Sequence, residues 1–414
     1  MKVLVCAFAC LKDPDKRFGN GGEAVLGWNI VKQLARFHQV FVLTHWENKL
    51  VIEKALERET VQNIKFYYLD LPFFNFLQKF SGGIQFYAYL WQIKAYFFAK
   101  KLYRKIHFDA FHHVTYANDW MASFIGALLK IPYIRGPGGG AHRVPKSFLT
   151  EFSFKDHLFQ YLRSLGQWLF RQDPLFILSQ KRAKAILVCN RESFKAIPKK
   201  WQKKVYFFPV NGISKEDLDL LLKFEKKDNN KFKVLTAGKL LSIKGFSLAI
   251  KAFKSFSERF SNVEFEIIGD GPEFPRLKNL VLKLEIEEKV KFKNWLPRND
   301  FLKEISFCDL FLFPSLRDGG GQVVIEAMAA GKPVICLDIA GPGFHIDNEW
   351  GIKIFPSSPQ KAIQEMAKAL ESLYLNKNLQ IQLGKKARER AKKFYHWDRL
   401  GESLFKIYRE VLKI

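Results

Sequence analysis

Asp318 and Glu326 stand eight residues apart, with Gly319-Gly320-Gly321 directly after the first acid and an apolar run ending at Phe313 before it. Three consecutive glycines let a backbone approach a ligand with no Cβ in the way. A helix opening at Gln322 and Val323 directs unpaired N–H groups and about half a positive charge at the same point. A diphosphate fits such a spot. With one carboxylate on the loop and the other about one turn into the helix, both can face one pocket. Carboxylates accept hydrogen bonds from vicinal hydroxyls, which suits the ribose and hexose of a nucleotide sugar better than the phosphates between them.

The elements that must position these residues follow from the apolar pattern. Short strand-like runs at 3–8, 40–44, 64–68, 110–114, 133–135, 185–189 and 205–208 alternate with helical stretches, and Pro209-Val210-Asn211-Gly212 closes this half with turn residues. The pattern restarts at Phe232, with further strands at 263–268, 290–292, 310–313 and 334–337. Strands separated by helices imply parallel sheets covered on both faces. The expected fold is α/β, two doubly wound Rossmann-like domains facing across a cleft, with ligands at the carboxyl ends of the strands. The first domain is placed at 1–210, a hinge or linker at 211–231 and the second domain at 232–395, with the lysine-rich segment from Lys215 to Lys233 read as a helix plus linker that packs loosely next to the hinge.

The run from Phe313 to Ile335 resembles the signature of the group 1 glycosyltransferases, retaining enzymes of the GT-B architecture, in which Glu-x7-Glu leads into Ala-Met-Ala-x-Gly-x-Pro-Val. Here Asp318 fills the first acidic position. The resemblance implies that Glu326 binds the donor ribose and Asp318 the sugar hydroxyls, with Gly319, Gly320, Gly321, Gln322 and Val323 lining the donor pocket. Gly238-Lys239-Leu240-Leu241-Ser242-Ile243-Lys244-Gly245 is similar to the family's Gly-Arg-Leu-x-x-x-Lys-Gly, whose two cations clamp the donor diphosphate. Breaking the glycosidic phosphate bond leaves extra charge on a nucleoside diphosphate, and fixed cations stabilise it as it develops. Gly269-Asp270-Gly271-Pro272 resembles a tight turn beside the donor. Asn294-Trp295-Leu296-Pro297 resembles the loop over the nucleotide base, with Trp295 packed either on the base or in the core.

In the first half, Phe18-Gly19-Asn20-Gly21-Gly22-Glu23 looks like the family's glycine-rich turn on the acceptor side. A dinucleotide fingerprint is a poor fit, since Ala24 stands at its third glycine and Thr44-His45 where an acid should end the second strand. The family places a histidine near the transferred sugar. Only one of the adjacent His112 and His113 can enter a cleft from a regular strand, and His113 is the candidate. The loop carrying Gly139, Gly140, His142 and Arg143 is assigned to the acceptor side. Residues 396–414 resemble the closing helix that crosses back to the first domain. The resemblance covers most of the chain and is strongest from 232 onward.

Composition sets the remaining expectations. The chain has 414 residues, 48% of them apolar, and carries 67 Lys and Arg against 41 Asp and Glu, a net charge of +26. An anionic partner is expected: phosphorylated substrate, nucleic acid or membrane surface. Nucleic-acid motifs are missing, so a nucleotide-sugar donor and a glycan or lipid-linked acceptor are the expected partners, with no nucleic acid. No cofactor or metal is expected: the pairs Asp13-Pro14-Asp15 and Asp217-Leu218-Asp219 fall in a turn and a helical charge run. The five cysteines form no Cys-x-x-Cys pair and read as reduced, buried thiols. The start, Met1-Lys2 and an apolar run, reads as a first strand and not a secretion signal. Two stretches, 73–108 and 148–184, are dense in Phe, Tyr and Trp with interleaved cations, which suits helices lying at an anionic membrane surface as well as core helices. A cytoplasmic, peripheral-membrane transferase is the expectation, with a basic glycan- or nucleic-acid-binding module of the same fold as its rival.

Overall fold

A computed structural model of the chain describes residues 1–12, 22–58, 62–80, 82–224 and 231–413. Gly21 and the pair Asp13 and Asp15 lie outside the described residues. The chain forms two compact units. The first comprises Met1–Ala141, Leu162–Val210 and Trp397–Ile414, and the second His142–Tyr161 and Asn211–His396.

The first unit holds β1 (Lys2–Ala7), β2 (Gln39–His45), β3 (Ile64–Leu69), β4 (Ala110–Thr115), β5 (Tyr133–Gly138), β6 (Ala183–Val188) and β7 (Val205–Phe207). They form one sheet in the order β3-β2-β1-β4-β5-β6-β7, parallel throughout. Successive side chains of a strand point to opposite faces. Leu4 and Cys6 therefore enter one core with Trp91 and Ala95 of the helix Gly83–Lys105, while Val3, Val5 and Ala7 enter another with Leu404 and Tyr408 of the helix Trp397–Leu412. Burial on both faces explains the continuous apolar strands.

The second unit holds β8 (Phe232–Ala237), β9 (Val263–Ile268), β10 (Val290–Lys293), β11 (Leu310–Phe313), β12 (Val334–Leu337) and β13 (Ile352–Ile354), in the order β10-β9-β8-β11-β12-β13. It too is parallel. Val234, Leu310 and Leu312 enter one core, and Leu235, Phe311 and Phe313 the other. β13 was not anticipated; three residues are too short to show a period. Each unit is thus a doubly wound, Rossmann-like α/β domain.

Two boundaries differ from expectation. Residues 142–161, assigned to the first domain, pack with the second unit: Val144 and Phe148 are buried in its core, Lys251 pairs with Glu151 at 2.8 Å, and Arg276 donates to the Glu151 carbonyl at 2.7 Å. The segment 211–231 holds the expected helix but does not pack loosely where it is described. Ile213 donates its N–H to the Tyr395 carbonyl at 2.8 Å, and the helix Lys215–Lys223 buries Leu218 and Leu221 in the second unit. All five cysteines are buried, and none forms a disulfide. Among the described residues no helix is long and apolar enough to cross a membrane.

Candidate active site

In the second unit the strand order reverses between β8 and β11, and the loops leaving their carboxyl ends lie side by side. Such a reversal opens a crevice for a ligand. After β8 the chain makes the turn Gly238–Leu240, which lies on the turn after β9. Leu240 N–H donates to the Asp270 carbonyl at 2.7 Å and Gly238 N–H to the Ile268 carbonyl at 2.9 Å. A Cβ on Gly269 would meet the Gly238 carbonyl oxygen at 2.0 Å, and one on Gly271 the Leu240 oxygen at 2.4 Å. Close approach of two backbones explains both glycines.

The next turn, Ser242–Lys244, docks on the loop after β11. Leu316 N–H donates to the Ile243 carbonyl at 2.9 Å, and Gly245, at φ +69°, lies against the Pro314 oxygen. This brings the Lys244 ammonium into an ion pair with Asp318 Oδ2. The other carboxylate oxygen, Oδ1, accepts the N–H groups of Gly320 (3.1 Å) and Gly321 (2.8 Å). Burial pushes the Asp318 carboxyl up. Lys244 and the two amides more than offset this and bring it down to about 2, so the group is ionised at neutral pH.

Gly321, at φ +59°, opens the helix Gln322–Ala329, and Glu326 lies one turn in. Its side chain is 1% exposed. Oε1 accepts from the Arg298 guanidinium and, at 2.8 Å, from the Gln322 amide, which also donates to the Gly212 carbonyl at 3.1 Å. Arg298 forks onto Asp217, with Nη2 to Oδ2 at 2.8 Å and Nε to Oδ1 at 3.3 Å. Burial pulls the guanidinium down, and the two carboxylates raise it above its ordinary value. Arg298 and Asp217 were missed by sequence reasoning, although Asp217 had been weighed as a metal ligand.

His345 is a second unanticipated residue. It ends the short helix Ala340–His345, which packs on the glycine loop: Gly341 N–H donates to the Asp318 carbonyl at 2.9 Å. The imidazole is buried between the Gly320 carbonyl (Nε2, 2.6 Å) and the Tyr395 hydroxyl (Nδ1, 3.0 Å). Burial lowers its pKa to about 4, as it does for His112. An unfolded chain takes up these protons near 6.5, so folding stability present above that pH drains away as pH falls toward 4. Thermal midpoints measured from pH 7 to pH 4.5 should therefore fall steadily. Substituting His345→Gln should flatten the slope, and an unchanged slope would exclude this histidine from it.

The other predicted residues are distributed as follows. Lys239 is exposed, and Trp295, expected to pack on a base or in the core, is 52% exposed because only Leu296 beside it turns inward. His142 and Arg143, assigned to the acceptor side of the first domain, belong to the second unit. A Cβ on Gly319 would lie 3.1 Å from the His142 ring, so His142 lies against the glycine loop, while Arg143 is exposed. In the first unit His112 and His113 lie in the middle of β4 on opposite faces, both buried. His112 is held by the Gly136 carbonyl (2.6 Å) and the Tyr408 hydroxyl (2.8 Å), and His113, beside Phe111, is kept neutral by burial at about 3. Gly22 starts a helix whose Glu23 carboxylate accepts the Tyr116 N–H. Gly139 and Gly140 are organised by Asp119, whose N–H donates to the Gly139 carbonyl at 3.2 Å and whose carboxylate accepts Ala141 N–H at 3.1 Å. Among the described residues no cluster of three metal-ligating side chains occurs.

Residues 219–390, which carry Lys239, Lys244, Arg298, Asp318, Glu326 and His345, match the profile of the family "Glycosyl transferases group 1". That region belongs to the group 1 glycosyltransferases. An uncharacterized glycosyltransferase of Haemophilus influenzae is 33% identical over 197 residues, covering 45% of this chain and 52% of the relative, so the match spans about half of that protein. Over nearly the whole chain the fold is shared with HepE of Anabaena, solved in complex with UDP and glucose, at a TM-score of 0.62 and 16% identity, covering 99% of this chain and 100% of HepE. It is shared equally with WaaG, a glycosyltransferase involved in lipopolysaccharide biosynthesis, at a TM-score of 0.62 and 17% identity, covering 98% and 99%.

Proposed function

We propose that the chain is a retaining glycosyltransferase that moves a hexosyl group from a nucleotide diphosphate sugar to a glycan acceptor, lipid-linked, at the cytoplasmic face of a membrane. The observation that carries this reading is the set formed by Lys244, Asp318, the Gly320 and Gly321 amides and Glu326, all at one strand-order reversal. Cation, amides and the helix starting at Gln322 suit a diphosphate, and the two acids suit sugar hydroxyls on either side of it. HepE's complex with UDP and glucose and WaaG's part in lipopolysaccharide synthesis support the donor class and the kind of product.

In this reading the diphosphate takes over the Lys244 ammonium from Asp318, and exposed Lys239 closes on it from the preceding turn. Asp318 then accepts hydroxyls of the hexose, and Glu326, held by Arg298 and Gln322, those of the ribose. The glycosidic C–O bond to phosphate breaks, and the departing phosphate oxygen takes the proton of the acceptor hydroxyl attacking the same face. Cations and amides carry the charge of the leaving diphosphate, so no divalent metal is required. The glycine loop around Gly139 and Gly140, with Gly22 and Glu23, serves the acceptor.

The test is thermal stabilisation of the purified protein by nucleoside diphosphates and nucleotide sugars, with and without EDTA, since a ligand of the folded state raises the midpoint with its affinity. One base should give a selective shift that EDTA leaves unchanged. A flat panel would leave a non-catalytic binding module as the better reading, and an EDTA-sensitive shift would restore a metal.

A further inference from the structure

The helix Phe154–Arg171 is folded with its polarity reversed. Of its 18 residues only Gln167 is buried. Gln167, Arg163 and Arg171 repeat every four residues and so share one side. That side faces the first unit: Gln167 Nε2 and Arg163 Nη2 both donate to the Gly140 carbonyl, at 3.0 and 2.9 Å, and Arg171 Nε donates to the Asp119 carbonyl at 3.2 Å. On the opposite side Leu158, Leu162, Leu165 and Leu169 repeat at the same helical period, and with Trp168 they are 43–56% exposed. A soluble surface helix carries the reverse arrangement.

The neighbouring helix Gly83–Lys105 meets this one through Tyr89, whose ring lies 5.8 Å from that of Phe170. It buries Tyr87, Trp91, Ala95 and Ala99 and leaves Phe86, Ile93 and Phe97 exposed. It carries Lys94, Lys100, Lys101, Arg104 and Lys105 and no acid. Before it, the turn Pro72–Lys79 exposes Phe73 by 89%.

We infer that the outward face of the helix Phe154–Arg171, continued by the exposed aromatics of Gly83–Lys105, seats on the interfacial layer of an anionic lipid leaflet. Leucine, phenylalanine and tryptophan displayed beside lysine and arginine match the acyl boundary and the headgroup charge together. A second copy of this chain is a poor occupant. A two-fold contact sets a patch against itself, which would bring five cations up to five with no acid on that helix to meet them. The same helix that would lie on lipid holds the Gly140 carbonyl on its inner side. Seating therefore places the acceptor-side loop one helix diameter from the headgroups, where a lipid-linked acceptor presents its sugar. That last step rests on the function proposed above; the surface itself does not.

Flotation of the full chain with vesicles tests it, without donor or acceptor. Binding is expected to phosphatidylcholine vesicles containing about a third phosphatidylglycerol, to weaken in high salt, and to fall about tenfold or more in the double variant L165E/L169E. The variant should keep the wild-type thermal midpoint and nucleotide shift; if it unfolds, L162E alone carries the test. No wild-type flotation, or equal flotation of the folded variant, overturns the inference. So does a wild-type dimer in sedimentation that the variant dissolves while vesicle binding is nil. A nucleotide panel without shifts would sink the proposed activity and leave the flotation result standing.

Discussion

Replacing Lys244 by alanine should lower turnover about a hundred- to a thousandfold, the range found when one preorganised charge-stabilising group is removed from a transition state. Lys244 is the cation that the structure places against the glycine loop, and in the resting state Asp318 occupies it. In the proposed reaction a leaving diphosphate has most need of it when its charge is greatest, so the loss should fall on kcat more than on KM. Folding should survive, because Asp318 keeps the Gly320 and Gly321 amides. Its carboxyl should move up from about 2 once the ammonium is gone. Steady-state kinetics beside a thermal melt decide the matter: near-normal kcat in a folded variant would remove Lys244 from the chemistry.

Arg298→Ala should give the largest loss of stability at the site. The guanidinium holds two carboxylates, of which Glu326 is 1% exposed. Removing one partner of a fully buried pair costs about 3–5 kcal/mol. Arg298 is 39% exposed, so water replaces part of what is lost, and about 2 kcal/mol is the expectation. Adding Glu326→Gln should recover about 1 kcal/mol, because a neutral amide leaves no unpaired charge. Urea unfolding of both singles and the double gives the coupling directly. Additive effects would mean that Arg298 and Glu326 do not act together and that Glu326 is held by Gln322 alone.

The strand and glycine-turn pattern carried much of the architecture in the sequence itself, because buried parallel strands and positive-φ turns restrict residue type. Asp318, Glu326 and Lys244 were legible for that reason: they sit at fixed offsets from glycines that the backbone requires. Arg298 and His345 were not. Each is a lone polar residue whose partners, Asp217 and Tyr395, lie 81 and 50 residues away in the chain, and no local spacing announces such a pair. The segment 142–161 was misplaced because Val144 and Phe148 say that they are buried but not in which core. The helix Phe154–Arg171 was half legible. Its period of apolar residues is the same whether that face points in or out, and only the bonds of Arg163 and Gln167 to Gly140 decide.

The first unit is built from the two ends of the chain, and Tyr408 of its last helix bonds His112 in the middle of its sheet. On a ribosome the strands of that sheet are all made by Phe207, but the helix Trp397–Leu412 that packs on it follows the second unit. The second unit has all its residues by His396, before the helix Trp397–Leu412 exists to cover Val3, Val5 and Ala7. At about 5–20 residues added per second, the part of the strand face that this helix covers waits for the intervening residues to be made. The nascent chain thus spends that interval with the part of this face that Leu404 and Tyr408 cover still open to chaperones, while Leu26, Trp28 and Ile30 already pack beside it, and the second unit has its full set of residues before the first.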